Sequence, residues 1–296
     1  MSGTLKVPDI FPPMIQVQQL QYAYPGREEL TVKGIDFQIR PGESFGFLGP
    51  SGAGKSTTQK ILIKLLPSFR GTVQVMDRPL QEWDKSFYNH IGVGFELPNH
   101  FGKLSALENL KFFGSFYNRP LLDAMELLEK VGLKNDAHKL VRDYSKGMKM
   151  RLNFVRALQH DPEILFFDEP TSGLDPTNAR TIKDIILDQK ARGKTLFITT
   201  HNMHDAEELC DRVAFIVDGQ IRLIDSPKAL KLKHGQRQVK IEYLNGETVK
   251  KTFPLDELGK NDEFLRILRE EQIETIHSEE ASLEDIFIEV TGQRLT

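Results

Sequence analysis

An α/β fold built on a mostly parallel core sheet is what this sequence predicts, and three observations predict it. A glycine-rich loop at residues 49–57 stands between a strand pattern and a helix pattern. Short apolar runs recur at Ile164 to Phe167, Thr195 to Thr199 and Val213 to Val217, spaced by helical or turn segments, as strands of a helix-covered sheet do. Alternating runs near both ends of the chain read as antiparallel strands.

Taken in order, residues 1–14 read as a flexible leader, since Met1 to Pro13 holds one lysine and three prolines and lacks the apolar stretch of a secretory signal. Ile15-Gln16-Val17 and Ile35-Asp36-Phe37-Gln38-Ile39 then alternate apolar with polar residues, with a turn at Pro25-Gly26 between them. They predict a small antiparallel β-layer ahead of the loop.

The loop itself is Gly49-Pro50-Ser51-Gly52-Ala53-Gly54-Lys55-Ser56-Thr57, which fulfils the pattern G-x-x-x-x-G-K-[ST]. It follows the buried-strand run Ser44 to Leu48 and opens a helical pattern from Lys55 to Leu66, with Ile61, Leu62, Leu65 and Leu66 as its apolar positions. A helix start leaves backbone N–H groups unpaired and carries partial positive charge, so a polyanionic phosphate is stabilised there. Glycine lets the backbone approach closely. Lys55 then reaches the β- and γ-phosphates of a nucleotide, and the Ser56 hydroxyl is placed to ligate Mg²⁺.

From Ser105 to His160 the pattern turns helical, with Leu107, Leu110 and Phe113, then Leu121, Met125 and Leu128, then Leu152, Val155 and Leu158 at helical spacing. Ile164-Leu165-Phe166-Phe167-Asp168-Glu169 returns to a strand that ends in two carboxylates, placing them at the carboxyl edge of a parallel sheet beside the loop. Asp168 is expected to hold the metal, directly or through water. Glu169 is expected to polarise the water that attacks the γ-phosphate, a general-base role worth about 10² to 10⁴ in rate. Beyond Gln220 to Ile224, the runs Val239 to Leu244 and Thr248 to Phe253 flank Asn245-Gly246, a hairpin signal. Helical patterns follow at Glu263 to Glu271 and Leu283 to Val290, the latter opened by Ser282 and Asp285 in capping-box spacing.

Bulk properties bound the rest. At 296 residues the chain can bury roughly three quarters of its unfolded surface. A net charge of −3 gives no general attraction for nucleic acid or anionic lipid, and the single cysteine, Cys210, excludes an internal disulfide and fits a reducing compartment. No run approaches the ~18 apolar residues of a membrane-spanning helix.

These residues resemble the ATP-binding cassette (ABC) family over roughly Ile15 to Lys233. Tyr144-Ser145-Lys146-Gly147-Met148-Lys149-Met150-Arg151-Leu152 looks like the family's signature, with Ser145, Gly147, Arg151 and Leu152 matching. Ser172-Gly173-Leu174-Asp175 matches its D-loop, His201 its switch histidine, and Tyr24 the aromatic that stacks on adenine, with Tyr22 as the competing choice. Two departures stand out: Glu96 occupies the position where the family generally has glutamine, and Lys146 and Met148 replace the commoner residues of the signature. A carboxylate at 96 can still ligate Mg²⁺, but it adds negative charge near phosphate.

The resemblance implies an ABC ATPase fold: a nucleotide-binding domain over residues 15–232, with its helical subdomain at about 97–160, and a C-terminal α+β domain over 233–296. It implies that ATP and Mg²⁺ are bound between the phosphate loop of one subunit and Ser145, Gly147 and Asp175 of another, Asp175 linking the two sites. A homodimer is expected, driving a membrane permease from the cytoplasmic face of the cell membrane. Phe101, Phe112, Phe113 and Phe116 border the region where family members grip a short permease helix. The tail from Ser282 to Gly292 and the Asp225-Ser226-Pro227 entry resemble exporter cassettes encoded apart from their permease. Two other readings remain at this point: a soluble ATP-driven clamp on a ribosome or nucleic acid, and an ATP-binding regulator that does not turn over.

Overall fold

The computed structural model describes residues 12–234, 238–279 and 281–293; the expected leader lies outside them up to residue 11. Two compact units are present, one running to Ile224 and the other beginning at Asp225. In chain order the first holds β1 (Ile15–Tyr22), β2 (Val32–Ile39), β3 (Ser44–Leu48), α1 (Lys55–Leu62), β4 (Arg70–Val75), β5 (Arg78–Pro79), β6 (Ile91–Gly94), α2 (Ala106–Gly114), α3 (Ala124–Lys130) and α4 (Lys146–Leu158). It continues through β7 (Ile164–Asp168), α5 (Pro176–Ala191), β8 (Thr195–Thr200), α6 (Met203–Leu209), β9 (Arg212–Val217) and β10 (Gln220–Asp225).

The core sheet has the order β10-β9-β3-β8-β7-β6, and its pairs from β9 to β6 are all parallel. β10 follows β9 through Asp218-Gly219, both with positive φ (51° and 75°), a two-residue connection that only antiparallel strands allow. Every residue of β3 and β7 is buried, as a sheet with both faces covered requires. The lone cysteine, Cys210, is buried with its sulfur against Gly46, where a Cβ would lie only 2.8 Å from it.

A second sheet, β2-β1-β4-β5, is the antiparallel layer. The turn after β1 forms at Pro25-Gly26, with the Arg27 N–H donating to the Tyr24 carbonyl at 3.0 Å and Gly26 at φ 80°. This layer does not wholly precede the loop: β4 comes after α1 and pairs with the free edge of β1, Val17 opposite Val73. Its inward residues join the core sheet in one apolar cluster, where the rings of Phe37 and Phe45 stack at 5.6 Å and Phe47 and Phe197 lie 5.5 Å apart.

Two helical expectations are corrected. α1 ends at Leu62 and not Leu66, because Lys64 takes a left-handed φ of 61° and the Leu65 and Lys64 N–H groups fold back onto the carbonyls of Lys60 and Ile61, leaving Leu65 51 % exposed. Leu121 precedes α3 and is exposed, so it belongs to a loop and not to that helix's apolar face.

The second unit contains α7 (Pro227–His234), β11 (Gln238–Asn245), β12 (Glu247–Pro254), α8 (Asp262–Glu270), β13 (Gln272–Glu279) and α9 (Leu283–Thr291). The hairpin turns at Gly246, with Asn245 opposite Glu247. β13 was not anticipated; it pairs antiparallel with β11 to complete the sheet β12-β11-β13. Val239, Ile241, Tyr243, Phe253, Phe264 and Ile267 form a core of its own. Ser282 and Asp285 cap α9 reciprocally, at 3.1 and 3.0 Å. No helix among the described residues is long and apolar enough to cross a membrane.

Candidate functional site

Adjacent parallel strands deliver the chemistry to one sheet edge. At their carboxyl ends β3 runs into the glycine loop, β8 into His201, β7 into Asp168-Glu169, and β6 ends two residues before Glu96. Their registers align these ends, Leu48 lying opposite Thr200 and Asp168 opposite Thr199.

The loop adopts the conformation its glycines permit. Gly54 sits at φ 105°, and at Gly49 a Cβ would meet the Ile216 carbonyl oxygen at 2.1 Å. α1 has no side-chain cap at its start, so its first N–H groups are open to an anion. The Lys55 ammonium donates to the carbonyls of Gly49 at 2.6 Å and Pro50 at 3.1 Å. Burial lowers the pKa of this lysine, against the opposing pull of the Glu169, Asp168 and Glu96 carboxylates.

A cleft of about 430 Å³ opens above the loop. Tyr24, Ser51, Gly52, Gly54 and Lys55 line one part of it; Ser56, Thr57, Glu96, Glu169 and His201 line the rest, together with Arg27 and Thr31. Tyr24 places its hydroxyl 3.1 Å from Thr57 Oγ1, whereas Tyr22 is only 5 % exposed and packs edge-on against the Tyr24 ring, so of the two it is Tyr24 that lines the cleft.

The carboxylates are held by the expected Ser56 and by two threonine hydroxyls that sequence reasoning did not single out. Ser56 Oγ donates to Asp168 Oδ1 at 3.3 Å, and Thr199 donates to the same oxygen. Glu169 takes a left-handed φ of 48°, its N–H donating to the Thr199 carbonyl at 2.9 Å. Its two carboxylate oxygens are separately engaged: Thr200 Oγ1 donates to Oε2 at 3.1 Å, and His201 Nδ1 lies 2.8 Å from Oε1. A neutral imidazole must carry its proton on Nδ1 to make that bond. Thr200 is fixed in turn by the Asn202 N–H, which donates to its hydroxyl at 3.0 Å. Threonines are ordinary strand residues, so Thr199 and Thr200 gave no signal beyond their place before His201.

Ser145, Gly147 and Asp175 do not line the cleft. Ser145 caps α4 by accepting from the Met148 N–H at 3.2 Å, and Asp175 caps α5 by accepting from the Asn178 N–H at 3.1 Å; both are exposed. The two helix starts adjoin, since a Cβ on Gly147 would sit 3.6 Å from Leu174 and one on Gly173 3.2 Å from the Lys146 ammonium. Behind them Thr171 donates to Asp205 Oδ2 at 2.5 Å, and Lys183 pairs with Asp205 at 3.3 Å, tying this loop to α6.

The oxygen donors suit Mg²⁺, which takes one or two carboxylates and completes its shell with water and substrate phosphates. No group of three acid or imidazole side chains that could hold a metal ion is present among the described residues.

Comparison with known proteins bears on the family and the fold. The ABC transporter family profile matches residues 32–172, and the profile of a fluoroquinolone efflux ABC transporter C-terminal domain matches residues 237–280. A fluoroquinolones export ATP-binding protein of Mycobacterium tuberculosis is 55 % identical over 285 residues, covering 96 % of this chain and 95 % of that one. A Nod factor export ATP-binding protein of Burkholderia lata is 38 % identical over 207 residues, 69 % of this chain and 68 % of its own. Among solved structures, a dimeric ATP-binding cassette in a post-hydrolysis state with ADP and phosphate matches with a TM-score of 0.66 and 26 % identity, over 72 % of this chain and 98 % of that one. With more than half its residues shared along nearly the whole length of one relative, the chain belongs to the ABC transporter family as an ATPase of its export branch.

Proposed function

We propose that two copies of this chain close around two ATP molecules, each bound by the loop Gly49 to Thr57 of one copy and by Ser145, Gly147 and Asp175 of the other, and that the closure drives a separate membrane permease from the cytoplasmic face. The observation that carries this reading is the sheet edge where Lys55, Asp168, Glu169 and His201 converge while the capped starts of α4 and α5 stay exposed outside the cleft. Lys55 gathers the β- and γ-phosphates, Tyr24 stacks on adenine, and Ser56 with Asp168 holds Mg²⁺, Glu96 adding a carboxylate at the rim. The ion, when bound, neutralises charge between the phosphates.

Glu169 accepts a proton from the attacking water. His201 keeps the Glu169 carboxylate oriented through Nδ1 and senses the γ-phosphate. Replacing Glu169 by glutamine is expected to slow steady-state ATP hydrolysis by about 10² or more while ATP binding persists. Phosphate release by the purified chain, paired with a nucleotide-binding titration, measures both; native turnover in Glu169→Gln removes the proposed base.

The permease contact is assigned to the aromatic cluster on the helical part. Phe101 and Phe112 lie edge-on at 4.8 Å, Phe112 and Phe116 at 5.2 Å, and Phe116 is 68 % exposed. The guanidinium of Arg156 covers Phe113 at 4.4 Å, fixing the buried side of the cluster. Cargo of the kind named for the M. tuberculosis relative is the proposed substrate, its binding surface lying on the permease.

A further inference from the structure

Three carboxylates and one buried lysine meet at the sheet edge. Lys55, Asp168 and Glu169 are each 8 % exposed. The last two are fixed by threonine hydroxyls. Glu96 differs from them: it stands exposed beyond β6 and lines the cleft, and its charge reaches the Lys55 ammonium together with theirs.

Resting on the nucleotide reading given above, we propose that Glu96 makes the cleft selective for the metal complex of ATP over the free triphosphate. A bare triphosphate brings several negative charges to a lysine already shared among three carboxylates, and Arg27, the other cation of the lining, is exposed as Glu96 is, so solvent weakens both charges alike. A divalent cation reverses the sign of what Glu96 contributes. Repulsion from phosphate oxygens is replaced by attraction to the ion, direct or through water. Magnesium is usually held by one or two carboxylates together with substrate phosphates, so the cation comes with the nucleotide. Glutamine at this position keeps the shape of the side chain and removes only its charge, so it acts oppositely on the two forms of the ligand.

The test is calorimetric binding of the non-hydrolysable analogue AMP-PNP to the full chain, in EDTA and in magnesium, for the native protein, Glu96→Gln and Lys55→Ala. Glu96→Gln is expected to tighten binding in EDTA by about threefold, the effect of one exposed charge acting over ~10 Å at an effective dielectric of about 50. It is expected to leave the magnesium complex no tighter, so the ratio of the two affinities falls by the same factor. Manganese titrated into the AMP-PNP complex and followed by electron paramagnetic resonance should bind more weakly to Glu96→Gln. A magnesium-to-EDTA ratio equal to that of the native chain, with native manganese affinity, overturns the proposal and leaves the nucleotide reading standing. Binding that ignores Lys55→Ala overturns the nucleotide reading itself, and this inference with it.

Discussion

Single residues carry the sharpest consequences. Gly49 has no room for a methyl group, since the Ile216 carbonyl would lie 2.1 Å from it. Gly49→Ala is therefore expected to cost about 1–3 kcal/mol of stability and to displace the loop. Chemical denaturation and an ATP titration check the two effects separately. His160 is wholly buried, stacked on Tyr117 at 3.7 Å, with Nε2 donating to the Ile91 carbonyl at 2.9 Å and Nδ1 unpaired. Burial lowers its pKa from 6.5 to about 4, so as the pH falls the unfolded chain takes the proton first. Native stability is thus lost between about pH 6.5 and 4. In His160→Gln, whose amide can keep the bond to Ile91, the loss of unfolding free energy between pH 7 and pH 5 is expected to shrink by about 2 kcal/mol, read from urea melts at the two pH values.

At the scale of elements, the starts of α4 and α5 are both built by caps and both proposed to face a partner. Ser145→Ala removes the acceptor for the Met148 N–H and is expected to cost about 1 kcal/mol. Ser145→Asp restores the cap but sets like charge toward a γ-phosphate. It should melt like the native chain and still fail to dimerise with ATP, an outcome that light scattering separates from simple misfolding. The contrast between what could and could not be read from sequence also lies at this scale. The phosphate loop and the strand ending in Asp168-Glu169 were legible because their spacing is local: strand, turn and helix follow one another without interruption. β4 and β13 were not, because neither advertises itself. β4 exposes half its residues and pairs across the whole of α1, and β13 reads Gln-Ile-Glu-Thr-Ile-His-Ser-Glu, with too little apolar alternation to stand out. Its partner β11 lies some thirty residues upstream. The roles of Ser145 and Asp175 were carried by resemblance alone, since a capped helix start looks the same whether or not a second subunit covers it.

For the whole molecule, the division into two compact units, with buried apolar clusters around Phe45 and Phe197 in one and around Ile241 and Phe264 in the other, makes separable unfolding the natural expectation. ATP binds only the first unit in the proposed scheme, so a saturating nucleotide should raise one calorimetric transition and leave the other in place. Docking to the permease belongs to this scale as well. Phe116→Asp places a charge on the exposed end of the aromatic cluster and is expected to abolish co-purification of the permease while ATP hydrolysis by the isolated chain continues. Finally, Cys210 gives the molecule a silent background for optical work. Burial pushes its thiol up to about 12, leaving almost no thiolate at neutral pH. A maleimide dye mixed with the native chain should remain unattached until urea is added, as mass spectrometry would record. Any reporter installed through a newly introduced surface cysteine would then answer for that one position alone, without first having to engineer the original thiol away.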